Sequence, residues 1–122
     1  MKKVFVLLIV FIKFLFADSF ITDVEYGKML YKNPRGIGCN KCHGAKGEGG
    51  IIATYKELNK IDRKKYNKNL VAPAINELDP QEFADGVLKS NKIMPMYFLT
   101  KDEIIAIYKY LKISNKESKN DK

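Results

Sequence analysis

Cys39-Asn40-Lys41-Cys42-His43 constrains this chain more than any other stretch of it. Two thiols stand three positions apart, an imidazole follows the second directly, and Gly38 and Gly44 flank the run. Both sulfurs can then add to the vinyl groups of one porphyrin while the imidazole reaches the iron, so the run reads as a covalent attachment site for a c-type haem. Rival readings need parts that the chain lacks. A thioredoxin-type pair opens a helix after a strand in a βαβ pattern, and nothing upstream reads as that strand. A zinc site needs three or four ligands, and beyond the contiguous Cys39, Cys42 and His43 the chain has no Cys or His. A plain disulfide between the two cysteines is the remaining bland alternative in an oxidising compartment.

Length allows one small domain, part of which is not mature protein. Met1-Lys2-Lys3 is a basic start, residues 4–16 are an apolar run broken only by Lys13, and Ala17 is a small residue before a cleavage point. Residues 1–17 therefore read as a cleaved signal peptide, shorter than the ~20 apolar residues of a spanning helix. Export places residues 18–113 in the periplasm as the functional domain. Residues 114–122, charged and polar, are expected to form a disordered tail. Three lysines and no acid leave with the leader, so the formal charge falls from +8 to +5 and the mature chain is only mildly basic. A domain of about 100 residues buries a modest core, and an enclosed flat cofactor would add apolar surface to it.

Helix signals are clear and strand signals are not. Thr22 with Glu25 three residues on is a capping box that opens a helix from Asp23 to about Lys32, with Val24, Gly27 and Tyr31 on one face. Asn33-Pro34-Arg35-Gly36 ends it. Gly44, Gly47, Gly49 and Gly50 make a permissive loop that lets the chain turn closely around a flat ligand. Residues 51–69 set Tyr55, Leu58 and Ile61 at helix-like spacing among Lys56, Lys60, Arg63, Lys64, Lys65 and Lys68. This densest basic stretch reads as a solvated helix face, or as a surface steering the protein toward an acidic partner. Pro73 keeps residues 71–75 extended. Asp79-Pro80-Gln81-Glu82 opens another helix that buries Phe83 and Val87, and Thr100 with Glu103 opens the last, carrying Ile104, Ile107, Tyr108 and Leu111. The expected fold class is all-α.

Counting bounds the second iron ligand. His43 is the only histidine, so two-histidine ligation within one chain is excluded. Met1 leaves with the leader, and Met29 lies too close before His43 to return easily to the opposite face. Met94 and Met96 stand in the loop before the last helix. Pro95 stiffens the approach of Met94, which matters for a ligand as weak as a thioether, whereas Met96 suits a gap-filling role. Met94 is the expected ligand, with Met96 and an open or lysine-ligated iron as alternatives. Met/His ligation raises the reduction potential.

Taken in order, these motifs resemble a class I monohaem cytochrome c, of the small bacterial kind sometimes called cytochrome c553. The likeness is carried by Gly27 and Tyr31, Cys39 to Gly44, Pro73, Met94-Pro95-Met96-Tyr97, Leu99-Thr100 and Tyr110-Leu111. It covers nearly the whole mature chain. The resemblance implies a small all-α cytochrome c fold in which the N- and C-terminal helices cross, Gly27 meeting Ile107 and Tyr110. It implies one haem c per chain, covalently attached through Cys39 and Cys42. The Pro73 carbonyl would accept the hydrogen bond from the second nitrogen of His43 and set the ring's orientation. Cys39, Cys42, His43, Met94 and Pro73 are thus the expected cofactor-binding residues, with His43 and Met94 on the metal. Pro73 lies farther beyond His43 than in many relatives, so residues 51–69 would add an extra helix or lobe.

The function implied is that of a soluble periplasmic carrier of single electrons in a respiratory chain, monomeric and not an enzyme. Filled axial positions admit no substrate to iron, and no Ser-His-Asp or paired-carboxylate pattern offers chemistry elsewhere. Donors would be a quinol-oxidising complex or dehydrogenase and acceptors a terminal oxidase or reductase, met through small, weak interfaces. Neither nucleic acid nor a small-molecule substrate is an expected partner. Two rivals stand beside this: a haem peroxidase or ligand sensor with a labile distal Met, and a membrane-held electron-transfer subunit of a larger oxidoreductase.

Overall fold

The first helix begins where Thr22 places its hydroxyl. In the computed structural model, which describes residues 21–89 and 92–120, that oxygen accepts the Glu25 amide at 3.2 Å while the Glu25 carboxylate accepts the Thr22 amide at 3.0 Å. Donors left orphaned at a helix start are satisfied in this way. The described chain runs α1 (Asp23–Lys32), α2 (Asn40–His43), β1 (Gly50–Leu58), β2 (Lys65–Ala72), α3 (Pro80–Leu88) and α4 (Lys101–Asn120). Asp79 caps α3 with a second reciprocal box, and Thr100 with Glu103 makes a third before α4. The expected leader, residues 1–17, lies outside the described residues, as do Ser90 and Asn91.

Helices α1 and α4 cross where Gly27 meets the backbone of Ala106 and Ile107. Around the crossing lie Leu30, Tyr31, Ile104, Ile107 and Leu111, joined by Phe83 and Val87 of α3 and by Tyr97. Tyr31, Ile107 and Leu111 are fully buried, and the rings of Tyr31 and Tyr110 lie 5.6 Å apart. Burying one large aliphatic side chain contributes about 1.5–3 kcal/mol. Exposed ion pairs such as Lys109–Asp23 contribute only about 0–1 kcal/mol each, so the apolar crossing holds the body together.

The all-α expectation does not hold. Residues 51–69, read as an extra helix or lobe, form most of a two-stranded antiparallel hairpin that pairs from Gly50 with Ala72 to Leu58 with Lys65. The spacing of Tyr55, Leu58 and Ile61 suits a helix face, yet a helical stripe must be buried to be stable, and every residue of β1 is exposed. Ile51, Ile52, Thr54, Tyr55, Tyr66 and Val71 are the β-branched and aromatic types that fit a pleated ribbon. Cross-strand contacts then hold it: Thr54 Oγ1 donates to Asn69 Oδ1 at 2.9 Å, and Lys68 pairs with Glu57. An irregularity between Ile51 and Ala53 breaks the register.

The C-terminal stretch also differs from expectation. Residues 114–120, read as the start of a disordered tail, continue α4. Ser114 is buried, and the Lys119 ammonium donates to Glu77 at 2.8 Å, so the helix has neighbours to lean on beyond its apolar half.

Candidate haem site

Tyr31 holds both ends of the cysteine motif. Its carbonyl accepts the Cys39 amide at 2.9 Å, and its phenol donates to the Gly44 carbonyl at 2.6 Å. Burial pushes that phenol well above its ordinary titration range, so it remains a donor. Between these anchors Cys39 accepts the amides of Cys42 and His43 at 3.2 and 2.9 Å. The single turn of α2 results, with Cys39 and Cys42 as free thiols. Burial raises the Cys39 thiol to about 11, keeping it protonated.

His43 is 7% exposed, and its Nδ1 lies 2.9 Å from the Pro73 carbonyl oxygen. A carbonyl only accepts, so Nδ1 carries the proton and Nε2 keeps its lone pair for a metal. The long detour from His43 to Pro73 is closed by the hairpin, whose strands bring residue 72 back beside residue 50. Gly49 completes the closure. Its amide donates to the His43 carbonyl at 2.8 Å, and a Cβ built on it would stand 2.7 Å from both Ala72 O and Ala74 N. All four glycines of this loop have positive φ.

Two cavities of about 110 and 180 Å³ share Cys39, His43, Pro73, Met94 and Tyr97 in their walls. Cys42, Ile52 and Pro95 line the first, while Leu78, Phe83 and Val87 line the second. Met94 packs against the apolar core, whereas Met96 is 55% exposed. A larger hollow, about 540 Å³, lies elsewhere between α3 and α4 and carries no Cys, His or Met. Volume alone would choose it; the donor set does not.

Three residues make contacts that the sequence reading did not assign to them. Tyr97 donates to the Ile37 carbonyl at 2.6 Å and so ties the Met94 segment to the loop preceding the cysteines. Its position three residues after Met94 was the available signal. Ile52 reaches the cavity beside Cys42 from the hairpin's base, at the register break. Arg35 grips Glu103 with two nitrogens at 2.7 and 2.8 Å and donates to the Phe98 carbonyl at 2.9 Å. No local pattern announces a pair so distant in sequence.

A helical body closing over an apolar cavity, with paired thiols and an imidazole at one wall, has the form of a protein that holds a flat iron-bearing ring. Residues 24–114 match the model of the family described as Cytochrome c, and the chain belongs to that family. A search of curated proteins and a search of solved structures each found no match. Family membership implies covalently bound haem c and haem-based electron transfer, and members are generally electron carriers rather than enzymes. The residues here fit that group. Cys39 and Cys42 are unpaired thiols, His43 presents one committed and one open nitrogen, and the cavity between them and Met94 is walled by apolar side chains.

Proposed function

We propose that the protein is a soluble, monomeric carrier of single electrons with a closed His/Met centre. Cys39 and Cys42 would hold haem c by two thioether bonds, and His43 and Met94 would fill the iron's axial positions. The bound group supplies a ferric/ferrous couple. The chain's own residues do the rest: Pro73 orients His43 and strengthens it as a donor, Tyr97 steadies the Met94 segment, and Phe83, Val87 and Ile107 exclude water. The hydrogen bond from His43 Nδ1 to Pro73 O, with Met94 walling the same two cavities, carries this reading. Met/His ligation raises the potential, which suits uptake of electrons from a quinol-oxidising complex or dehydrogenase and delivery to a terminal oxidase or reductase. The basic, apolar start of residues 1–17 supports a periplasmic site of action.

The test is to reduce the purified holoprotein and expose it to carbon monoxide and to peroxide. A closed centre leaves the ferrous spectrum unchanged by carbon monoxide and shows negligible peroxide turnover, while membranes carrying quinol and oxidase reduce and reoxidise the protein. Rapid carbon monoxide binding at neutral pH would overturn the carrier in favour of a ligand sensor or peroxidase.

A further inference from the structure

The hairpin carries more exposed apolar and cationic surface than an ordinary loop requires. β1 spans nine residues, about 27 Å at the antiparallel rise, and residues 50–69 are exposed throughout. At the tip Ile61 is 94% exposed and Leu58 54%; behind them Tyr55 and Tyr66 are 46% and 48% exposed. Around this tip stand Lys56, Lys60, Arg63, Lys64 and Lys65, none of which makes an ion pair among the described residues. The nearby acids are engaged: Glu57 pairs with Lys68, and Asp62 accepts from the Tyr66 hydroxyl at 2.5 Å and from the Lys64 amide at 3.0 Å.

The tip is also built, not slack. The Asn59 amide donates to the Lys64 carbonyl at 2.9 Å, the Arg63 amide to the Asn59 carbonyl at 3.0 Å, and the Ile61 amide to Asn59 Oδ1 at 2.9 Å. Ile61 is therefore held out by a turn that pairs the amides of Asn59, Ile61, Arg63 and Lys64 internally, which lowers the cost of bringing that backbone into apolar surroundings.

We propose that this hairpin tip docks the protein on an anionic phospholipid surface, with Ile61 and Leu58 entering the apolar layer, the tyrosines at the interface and the unpaired cations on the headgroups. Charge complementarity names the occupant, since each cation near an anionic leaflet favours binding. Shape chooses lipid over protein. A stable protein interface buries roughly 800 Å² per partner on a broad matching face, whereas one aliphatic wedge on a narrow convex turn needs a fluid layer that closes around it. Tyr rings with one apolar and one wet end suit that boundary. The base of the same ribbon places Ile52 in the cavity wall beside Cys42, so docking at the tip would fix the cysteine site relative to the surface.

The test is flotation of the exported holoprotein with vesicles of phosphatidylcholine and phosphatidylglycerol, and with phosphatidylcholine alone. Parent, Ile61→Asp and Lys60→Gln/Lys64→Gln are compared in the same chain form, so any contribution of residues 1–20 cancels. The parent binds the anionic vesicles, more weakly at high salt, and each variant loses about tenfold or more in partition while keeping an unchanged haem spectrum. Absence of parent binding to anionic vesicles overturns the proposal, and so does parent-like binding by Ile61→Asp. If Ile61→Asp leaves vesicle binding intact and slows only reduction by a detergent-solubilised donor, the tip serves a protein partner and the proposal also fails.

Discussion

Gly27 of α1 lies directly on the backbone of Ala106 in α4. A Cβ built on Gly27 would overlap the Ala106 carbonyl and stand 3.0 Å from the Ile107 nitrogen. Two effects of Gly27→Ala oppose one another. Alanine gains about 1 kcal/mol of helix propensity, but the helices must separate at their fully buried contact, and overpacking of that kind costs about 1–3 kcal/mol or more. Backbone atoms cannot swing aside as a flexible side chain does, so the clash wins. Gly27→Ala is expected to lower stability by about 1–2 kcal/mol net, and a denaturant midpoint equal to the parent's would show that the crossing relaxes freely.

Gly49 occupies the corresponding position at the candidate haem site. Its amide holds the His43 carbonyl, and a Cβ there would press on Ala72 O and Ala74 N at 2.7 Å and on the Pro73 carbonyl carbon at 2.8 Å. Gly49→Ala, at a φ of +77°, is strained and also pushes the Pro73 peptide away from His43 Nδ1. The expected stability loss is about 1–3 kcal/mol. A merely structural role would stop there. Weakening the bond to Pro73 makes the imidazole a poorer donor, which disfavours ferric iron and raises the reduction potential. Spectroelectrochemical titration reads this directly, and an unchanged potential would restrict Gly49 to the fold.

Much of this was legible because it is local. The boxes at Thr22/Glu25 and Thr100/Glu103 and the Asp79 cap stand where the sequence puts them, since a cap depends on residues two or three apart. The contact between His43 and Pro73 also agrees with expectation, although it rests on family resemblance and not on spacing. The hairpin was misread because its deciding partners, such as Thr54 and Asn69, are fifteen positions apart, while Tyr55, Leu58 and Ile61 offer a misleading local period. The Arg35–Glu103 pair was invisible for the same reason, with sixty-eight positions between its members. Glu103 does appear in the sequence as a cap residue; its second role needed the third dimension.

That second role predicts an acid dependence. Arg35 is the largest influence on Glu103, followed by the Thr100 amide, and with the Tyr26 hydroxyl they hold its carboxyl at about 2, below the ordinary 4.5. A folded value below the unfolded one stabilises fully above about 4.5 and is lost as pH falls toward 2. Arg35→Gln removes the largest cause. The variant is therefore expected to be less stable than the parent at neutral pH, with the two unfolding midpoints converging as pH is lowered through that window. A stability gap of constant size across the window would mean that Arg35 acts through Phe98 O instead.

Met94 and Met96 are separated by one residue and by opposite environments. Met94 lies in the wall that also holds His43 and packs on the core, while Met96 is more than half exposed. Pro95 restrains the backbone at Met94, and Tyr97 pins the following segment to Ile37 at 2.6 Å. A thioether binds iron weakly, so it persists only if its loop has little freedom to lose. Met94→Ala should then abolish the sulfur-to-iron charge-transfer band of the ferric holoprotein and open the iron to carbon monoxide once reduced. Met96→Ala should change neither, and stability by no more than about 0.5 kcal/mol, as for other exposed sites. Retention of the band in Met94→Ala together with its loss in Met96→Ala would transfer the ligand to the exposed residue, and would require the segment to turn over on haem binding.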